Sequence, residues 1–463
     1  MAVFDLVIKN GKIITAGETL EADLAIRNGK IDCLGKNLSG DREIDAANLL
    51  VLPGAVDPHV HLQMPAGVTT SSDTWETGTK AAAYGGTTTL IDFIEPLEGQ
   101  SLLDAFKERK AQADPQVVID YALHMTLADT TPDHMAELPA VLQAGITSFK
   151  TYTTYEGFKL TDQSFLEVFR QVSKTGGLVM VHAENDAMCH FAAQELLSRG
   201  QYGPEAHPLS RPAGAEGEAI ERVLALASLT RTPVYIVHVS TALGAAAISR
   251  ARARGQLAFG ETCPQYLLLS DVEYSRPNFE GAKFVCAPPL RKKSDNTCLW
   301  SALSDETIQT IGTDHCPFFF QGQKDLGKDR FTQIPGGIPG VESRLALVYS
   351  FGVKTGKLTI NQWVDRCCTR PAELFGLYPQ KGTLLPGADA DVVLFDPNLE
   401  RTLTHDILHE NVDYTPYEGF KLQGYPVTTL LRGEILVSNG KMYGAPGQGR
   451  YLKCQLPHFE RYL

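Results

Sequence analysis

The 463-residue chain contains no stretch of about 18 apolar residues, the length a membrane span requires, and its mean hydropathy is -0.12. Its first residues, Met1-Ala2-Val3-Phe4-Asp5, lack a charged region followed by an apolar one, so no secretory leader is expected. Positive charge is in short supply: 42 Lys and Arg face 54 Asp and Glu, a net charge of -12. Such a surface repels nucleic acid and anionic lipid, and neither is expected as a partner. The nine cysteines include no CxxC pair, and their number is odd. That argues against a cysteine zinc site or a dithiol redox motif and points to reduced, mostly buried thiols in a cytoplasmic protein. GxGxxG and GxxxxGK[ST] phosphate loops are missing too. What the chain does have is 43% hydrophobic residues, enough to bury a large core.

The two ends of the chain share a character. Residues 5–11, 23–29 and 30–35 are short apolar runs bounded by turn residues, with Asn28-Gly29 between the last two as a hairpin signal. Residues 389–397 and 427–440 read the same way. Neither set alone has enough strands for a stable core, so one β-sandwich built from both termini is expected. The expected division is residues 1–52 and 385–440 for the sandwich, 53–384 for a central domain and 441–463 for a tail.

The middle alternates between apolar runs rich in β-branched residues and helix-like stretches such as residues 216–226. The runs centre near Val56, Leu90, Asp120, Phe149, Met180, Ile236, Phe259 and Gly312. Eight strand–helix units predict an α/β fold, a closed (β/α)₈ TIM-like barrel, with two long gaps left for insertions. An open doubly wound sheet is the alternative.

Polar residues fall at the carboxyl ends of these runs. The first ends Asp57-Pro58-His59-Val60-His61; residues i and i+2 of a strand share a side, so both histidines can face the axis. Lys150 ends the fourth run, His182 the fifth, His238 the sixth and Asp314 the eighth. Any one of them alone has a bland explanation: a hydrogen-bonded histidine, a snorkelling lysine, a helix-capping aspartate. Together they mark the rim where barrel enzymes place their active sites. His124, near the end of the third run, has no such partner and reads as structural. Imidazole and carboxylate donors suit Zn²⁺, and also Mn²⁺, Co²⁺ or Ni²⁺. Four histidines and one aspartate hold two divalent ions if something bridges them. A lysine desolvated among strand ends loses its charge more readily, and its neutral amine can add CO₂ to become a carbamate with two oxygen donors. A hydroxide shared by the ions would then be the nucleophile.

The order HxH, Lys, His, His, Asp resembles the cyclic amidohydrolases of the amidohydrolase superfamily, above all the hydantoinase/dihydropyrimidinase branch. The resemblance runs through Gly85-Gly86-Thr87-Thr88-Thr89, Ser148-Phe149-Lys150 with Tyr155, Val181-His182-Ala183-Glu184-Asn185 and Ile236-Val237-His238-Val239-Ser240. It continues in Glu261-Thr262-Cys263-Pro264-Gln265-Tyr266-Leu267, Pro288-Pro289-Leu290-Arg291, Thr313-Asp314-His315-Cys316-Pro317 and Asp413-Tyr414-Thr415-Pro416-Tyr417-Glu418-Gly419. It implies that His59, His61, carboxylated Lys150 and Asp314 hold one ion, zinc by first choice, and that Lys150, His182 and His238 hold the other. Asp314 would move the proton from nucleophile to leaving nitrogen, and Tyr155 would donate to the oxyanion. Tyr152, Phe158, Met64 and Pro65 would line the pocket around the exocyclic group.

The implied reaction opens a cyclic ureide or imide to an N-carbamoyl amino acid. Two departures touch the substrate ring: Ala287 stands where hydantoinases usually have Ser, and Gly336 where they commonly have Asn, at positions that bind the imide largely through backbone groups. Dihydroorotases normally carry Arg where this chain has Gln63, so an anionic substrate is disfavoured. Allantoinase or another cyclic amidase is the alternative activity. A non-catalytic assembly protein of the same fold would lack metal ligands, and here all six positions are filled. The resemblance also implies a homotetramer; the mixed basic and apolar tail, residues 450–457, is expected either to reach a neighbour or to be a disordered end.

Overall fold

In the computed structural model, which describes residues 4–459, the alternating middle folds into eight parallel strands hydrogen-bonded in sequence order. We number them β1 (Ala55–Val60), β2 (Thr87–Ile94), β3 (Asp120–Thr126), β4 (Ser148–Tyr152), β5 (Leu178–His182), β6 (Val234–Ile236), β7 (Ala258–Thr262) and β8 (Thr310–Ile311). Every residue of β1, β2 and β3 is buried, as strands covered on both faces require. The outer layer is helical. Helix Asp162–Thr175 starts where the Thr161 hydroxyl accepts from Ser164 N at 3.1 Å, buries Phe165, Val168, Phe169 and Val172 on one face, and ends at Gly176, whose φ is 78°.

The sheet closes, which rules out the doubly wound alternative. Val60 and His315 form a parallel bridge between the first strand and the chain just past β8. Asp314 N donates to His59 O at 2.9 Å and His61 N to His315 O at 2.8 Å. At the other end of this seam the buried Arg344 guanidinium donates to Val56 O (3.0 Å), Ile311 O (2.8 Å) and Thr87 Oγ1 (3.2 Å). The two long gaps hold extra helices, among them Asp186–Ser198 before β6 and Pro264–Leu268 before β8.

The terminal strands form the expected second domain. Strands Lys30–Gly35, Asp23–Arg27, Phe4–Lys9 and Gly40–Asp45 make one sheet. The other has seven strands, in which Val392–Thr402 lies between Leu50–Pro53 and Lys421–Leu431. Leu6, Ile8, Leu24, Val51, Leu394 and Leu430 share one core between them. The Asn28-Gly29 hairpin forms, with Arg27 paired to Lys30 and φ of 52° and 72° at the turn. The strand expected from residue 389 begins only at Val392, because Asp389 and Asp391 turn their carboxylates to the buried Lys381 amine, at 3.0 and 2.8 Å.

The tail packs along its own chain. Lys441–Met442 adds a short strand to the sandwich. Leu452 N donates to Tyr121 O at 2.7 Å, and Leu452, Cys454 and Phe459 are buried against the amino-terminal end of the barrel, with Phe459 5.6 Å from Phe259. These apolar residues are therefore satisfied within their own chain. Met1–Val3, part of the stretch read for a leader, and Glu460–Leu463, the end of the tail, lie outside the described residues.

Candidate active site and metal centre

At the carboxyl end of β1, His59 and His61 face the same way, as the two-residue period dictates. Their Nε2 atoms are 3.2 Å apart, and each is 3.2 Å from Asp314 Oδ1. These three side chains form one cluster of metal-ligand type. His182 and His238 form a second group, with ring centroids 4.5 Å apart, and His238 lies 5.5 Å from His59. Lys150, 1% exposed, projects among them. Its amine has no carboxylate or hydrogen-bond partner among the described residues; it lies 4.9 Å from the centre of the Phe93 ring and 5.1 Å from that of Tyr152.

The strand ends differ from expectation in one respect. Strand β6 stops at Ile236 and β8 at Ile311, two and three residues short of His238 and Asp314. Both residues have positive φ, 40° and 53°, which takes the chain out of the ladder and turns the side chains inward. Gln63 (48°) and Tyr155 (75°) share this strained geometry beside the site.

Burial lowers the basicity of His59, His182 and His238, and the Lys150 charge adds to the effect. All three are thereby kept in the neutral form that ligates metals. Burial also pulls the Lys150 amine down from its ordinary value. It pushes the Asp314 carboxyl up, but His59 and His61 outweigh it, and the carboxyl ends below its usual range.

Behind these side chains is a layer that sequence reasoning assigned no role. Glu261, in β7, accepts from His59 Nδ1 at 2.7 Å, from Tyr235 Oη at 2.9 Å and from His238 N at 3.1 Å. It thus orients two of the four histidines. Glu184 does the same for His182, at 2.8 Å from Nε2, and is ion-paired with Arg211. Burial raises the Glu184 carboxyl, yet Arg211 and His182 bring it to about 2. A carboxylate near the end of an otherwise apolar run was the available signal for Glu261, and the His-x-Glu spacing was the signal for Glu184. His124 is structural as expected, held at 2.5 Å from Ser148 Oγ and 2.9 Å from Pro58 O.

The cluster opens into a cavity of about 620 Å³. Tyr155, Tyr152, Phe158, Met64, Ala287 and Gly336 all line it, as do Pro65 and all the expected metal residues except the deeper His59. Tyr152 packs its ring against Phe158 (5.4 Å) and His182 (5.8 Å). The Tyr155 hydroxyl has no hydrogen-bond partner among the described residues, and Arg211 lies over its ring at 5.2 Å. Burial raises this phenol, so it remains a donor.

A sequence profile described as the Amidohydrolase family matches residues 50–436. The chain belongs to this family. Within it, the chain falls in the hydantoinase/dihydropyrimidinase branch. It is 46% identical over 451 residues to a D-hydantoinase of Geobacillus stearothermophilus, covering 96% of each chain. It is 43% identical over 451 residues to a D-hydantoinase of Ralstonia pickettii, covering 97% of this chain and 98% of the other. The crystal structure of a dihydropyrimidinase from Brevibacillus agri superposes with a TM-score of 0.97 at 42% identity, over 98% of this chain and 99% of that one. The resemblance read from the motifs is thereby borne out, as is the barrel with its terminal-strand domain.

Proposed function

We infer that the protein is a metal-dependent hydrolase that opens the cyclic amide of hydantoins or dihydropyrimidines, giving N-carbamoyl amino acids. The observation that carries this reading is the convergence of four histidines, Asp314 and a buried lysine without an ion-pair partner on one site. The names of the relatives, D-hydantoinase and dihydropyrimidinase, favour it over allantoinase.

The donor set fits two divalent ions, zinc by first choice. His59, His61, Asp314 and a carboxylated Lys150 would hold one, and Lys150, His182 and His238 the other. His61 Nδ1 and His238 Nδ1 are buried without hydrogen-bond partners, and the Lys150 amine makes no ion-pair contact with a carboxylate among the described residues, so the protein alone leaves this cluster unsatisfied. Carboxylation would answer it: the ammonium first gives up one proton, the neutral amine then bonds to the carbon of CO₂ and a second proton leaves to solvent, so that a cation would be replaced by an anion with two oxygen donors. Bound there, the metals would acidify a water and polarise the attacked carbonyl. Asp314 would accept the proton of the attacking water and return it to the ring nitrogen as the carbon–nitrogen bond breaks. Tyr155 would donate to the developing oxyanion, and Ala287 and Gly336 would hold the ring through backbone groups. Tyr152, Phe158, Met64 and Pro65 would enclose the exocyclic substituent.

Initial rates on 5-phenylhydantoin, dihydrouracil and allantoin test this reading. Turnover of either of the first two with release of the N-carbamoyl product is expected. Hydrolysis of allantoin alone would overturn it. We also propose a cytoplasmic homotetramer. Exposed Phe191 and Leu243, on helices Asp186–Ser198 and Ala242–Ala253, supply apolar surface for subunit contact, and the nine cysteines are free thiols. Light scattering checks the oligomeric state.

A further inference from the structure

Two loops carry the residues assigned to the substrate ring, Ala287 on one and Gly336 on the other, and both face the cavity. Among the described residues, the backbone groups of these two make no hydrogen bond within the protein. The backbone just beside them is tied down. Cys286 O accepts from His207 Nε2 at 2.8 Å, and Pro288 O accepts from Tyr266 Oη at 2.7 Å. Val285 O accepts from Gly337 N at 3.0 Å, which joins the two loops directly.

A second join is made by a side chain. Lys324 is fully buried behind the cavity wall, and its Nζ donates to Val285 O and to Pro335 O, both at 2.7 Å. Val285 lies two residues before Ala287, and Pro335 directly precedes Gly336. No carboxylate pairs with Lys324; the ring of Phe318 lies 5.8 Å away. Its own short segment, Lys324–Gly327, is wedged against the second loop so closely that a Cβ on Gly327 would come within 2.2 Å of the Ile334 side chain. Burying an amine without a counter-charge opposes folding, and methionine would fill similar space without that penalty. What the amine adds is two N–H donors aimed at two loops. Burial draws it down to about 7, and in either protonation state it has the two donors the contacts need.

We propose that Lys324 is a positioning residue for the substrate ring: it clamps the two loops at the separation at which Ala287 and Gly336 together bind the cyclic imide. The inference rests on the proposed ring-opening reaction, and it assigns Lys324 to binding rather than to bond cleavage. Lys324→Met in the metal-loaded enzyme tests it. KM for the cyclic substrate should rise roughly ten- to thirtyfold, the size of two lost hydrogen bonds. The rate constant kcat should stay within about threefold, the pattern for a contact that binds ground state and transition state alike. Metal content should not change. Amide hydrogen exchange over residues 285–288 and 334–337 should quicken, and Lys324→Gln, which keeps an N–H₂ group, should recover part of the loss in KM. An unchanged KM, or unchanged exchange in both loops, overturns the clamp. If Lys324→Met does not fold, Lys324→Gln alone carries the same readouts. A parent enzyme inert on hydantoins and dihydropyrimidines overturns the reaction instead, and the exchange measurement, which needs no substrate, still decides the clamp.

Discussion

Lys150 is the residue on which the proposed chemistry turns. Its burial disfavours the charged form more than Asp314, Glu261 and Glu95 favour it, which eases the loss or conversion of that charge. Lys150→Ala should therefore release both metals and abolish turnover. A short carboxylic acid added in excess should restore part of each, by supplying the two oxygens the carbamate would have provided. Metal analysis beside kinetics checks this, and full activity in the variant without added acid would refute the bridging role. Glu261 acts one step further out, through His59 and the backbone of His238. Glu261→Gln keeps the shape but removes the negative charge that holds the imidazole. We expect metal affinity to fall by about 10- to 100-fold, measured by competition with a chelator. A chelator titration indistinguishable from that of the parent would leave Glu261 with no role in tuning the site.

At the scale of elements, the strands place the ligands and the seam between first and last strand keeps them registered. Strand β8 is only two residues long, so few ladder hydrogen bonds hold it. Arg344 compensates by donating to the carbonyls of Val56 and Ile311, one on each strand of the seam, with Asp57 3.9 Å from its Nε. Arg344→Met would remove the donor from two buried carbonyls and the counter-charge from the buried Asp57 carboxylate, which keeps its hydrogen bonds from Thr313 and His59. A loss of about 3–5 kcal/mol in unfolding free energy is expected, read as a lowered denaturant midpoint. A shift below 1 kcal/mol, the size of an exposed pair, would mean that the seam holds without it. The short strands also mark where pattern reading stops. The period of two found His59 and His61, and apolar runs located every barrel strand. The left-handed turns at His238 and Asp314 left no trace in hydropathy, so both strands were drawn too long.

At the scale of the molecule, the closed barrel and the terminal-strand domain were legible because each depends on local pattern: apolar runs spaced for strand–helix units, and Asn28-Gly29 between alternating segments. Glu261 and Arg344 were not, because their partners are remote in sequence. Glu261 meets His59 across 202 residues, and Arg344 meets Val56 across 288. No window of a single sequence contains both members of such a pair. The seating of the tail was not legible for a related reason: its mixed composition suits a partner's surface as well as its own barrel. Deleting residues 451–463 should expose the apolar floor around Phe259 and lower the thermal midpoint while leaving metal content intact. A truncated protein with an unchanged midpoint would show that the tail merely lies on that floor.

That floor has a further consequence for traffic. The tail and Phe375 are packed beneath the strands, and the cavity lies on the ligand side. Substrate ring and opened product would occupy this same cavity, so the two exclude one another. Accumulating product should therefore inhibit competitively, throttling the enzyme in proportion to the ratio of product to substrate.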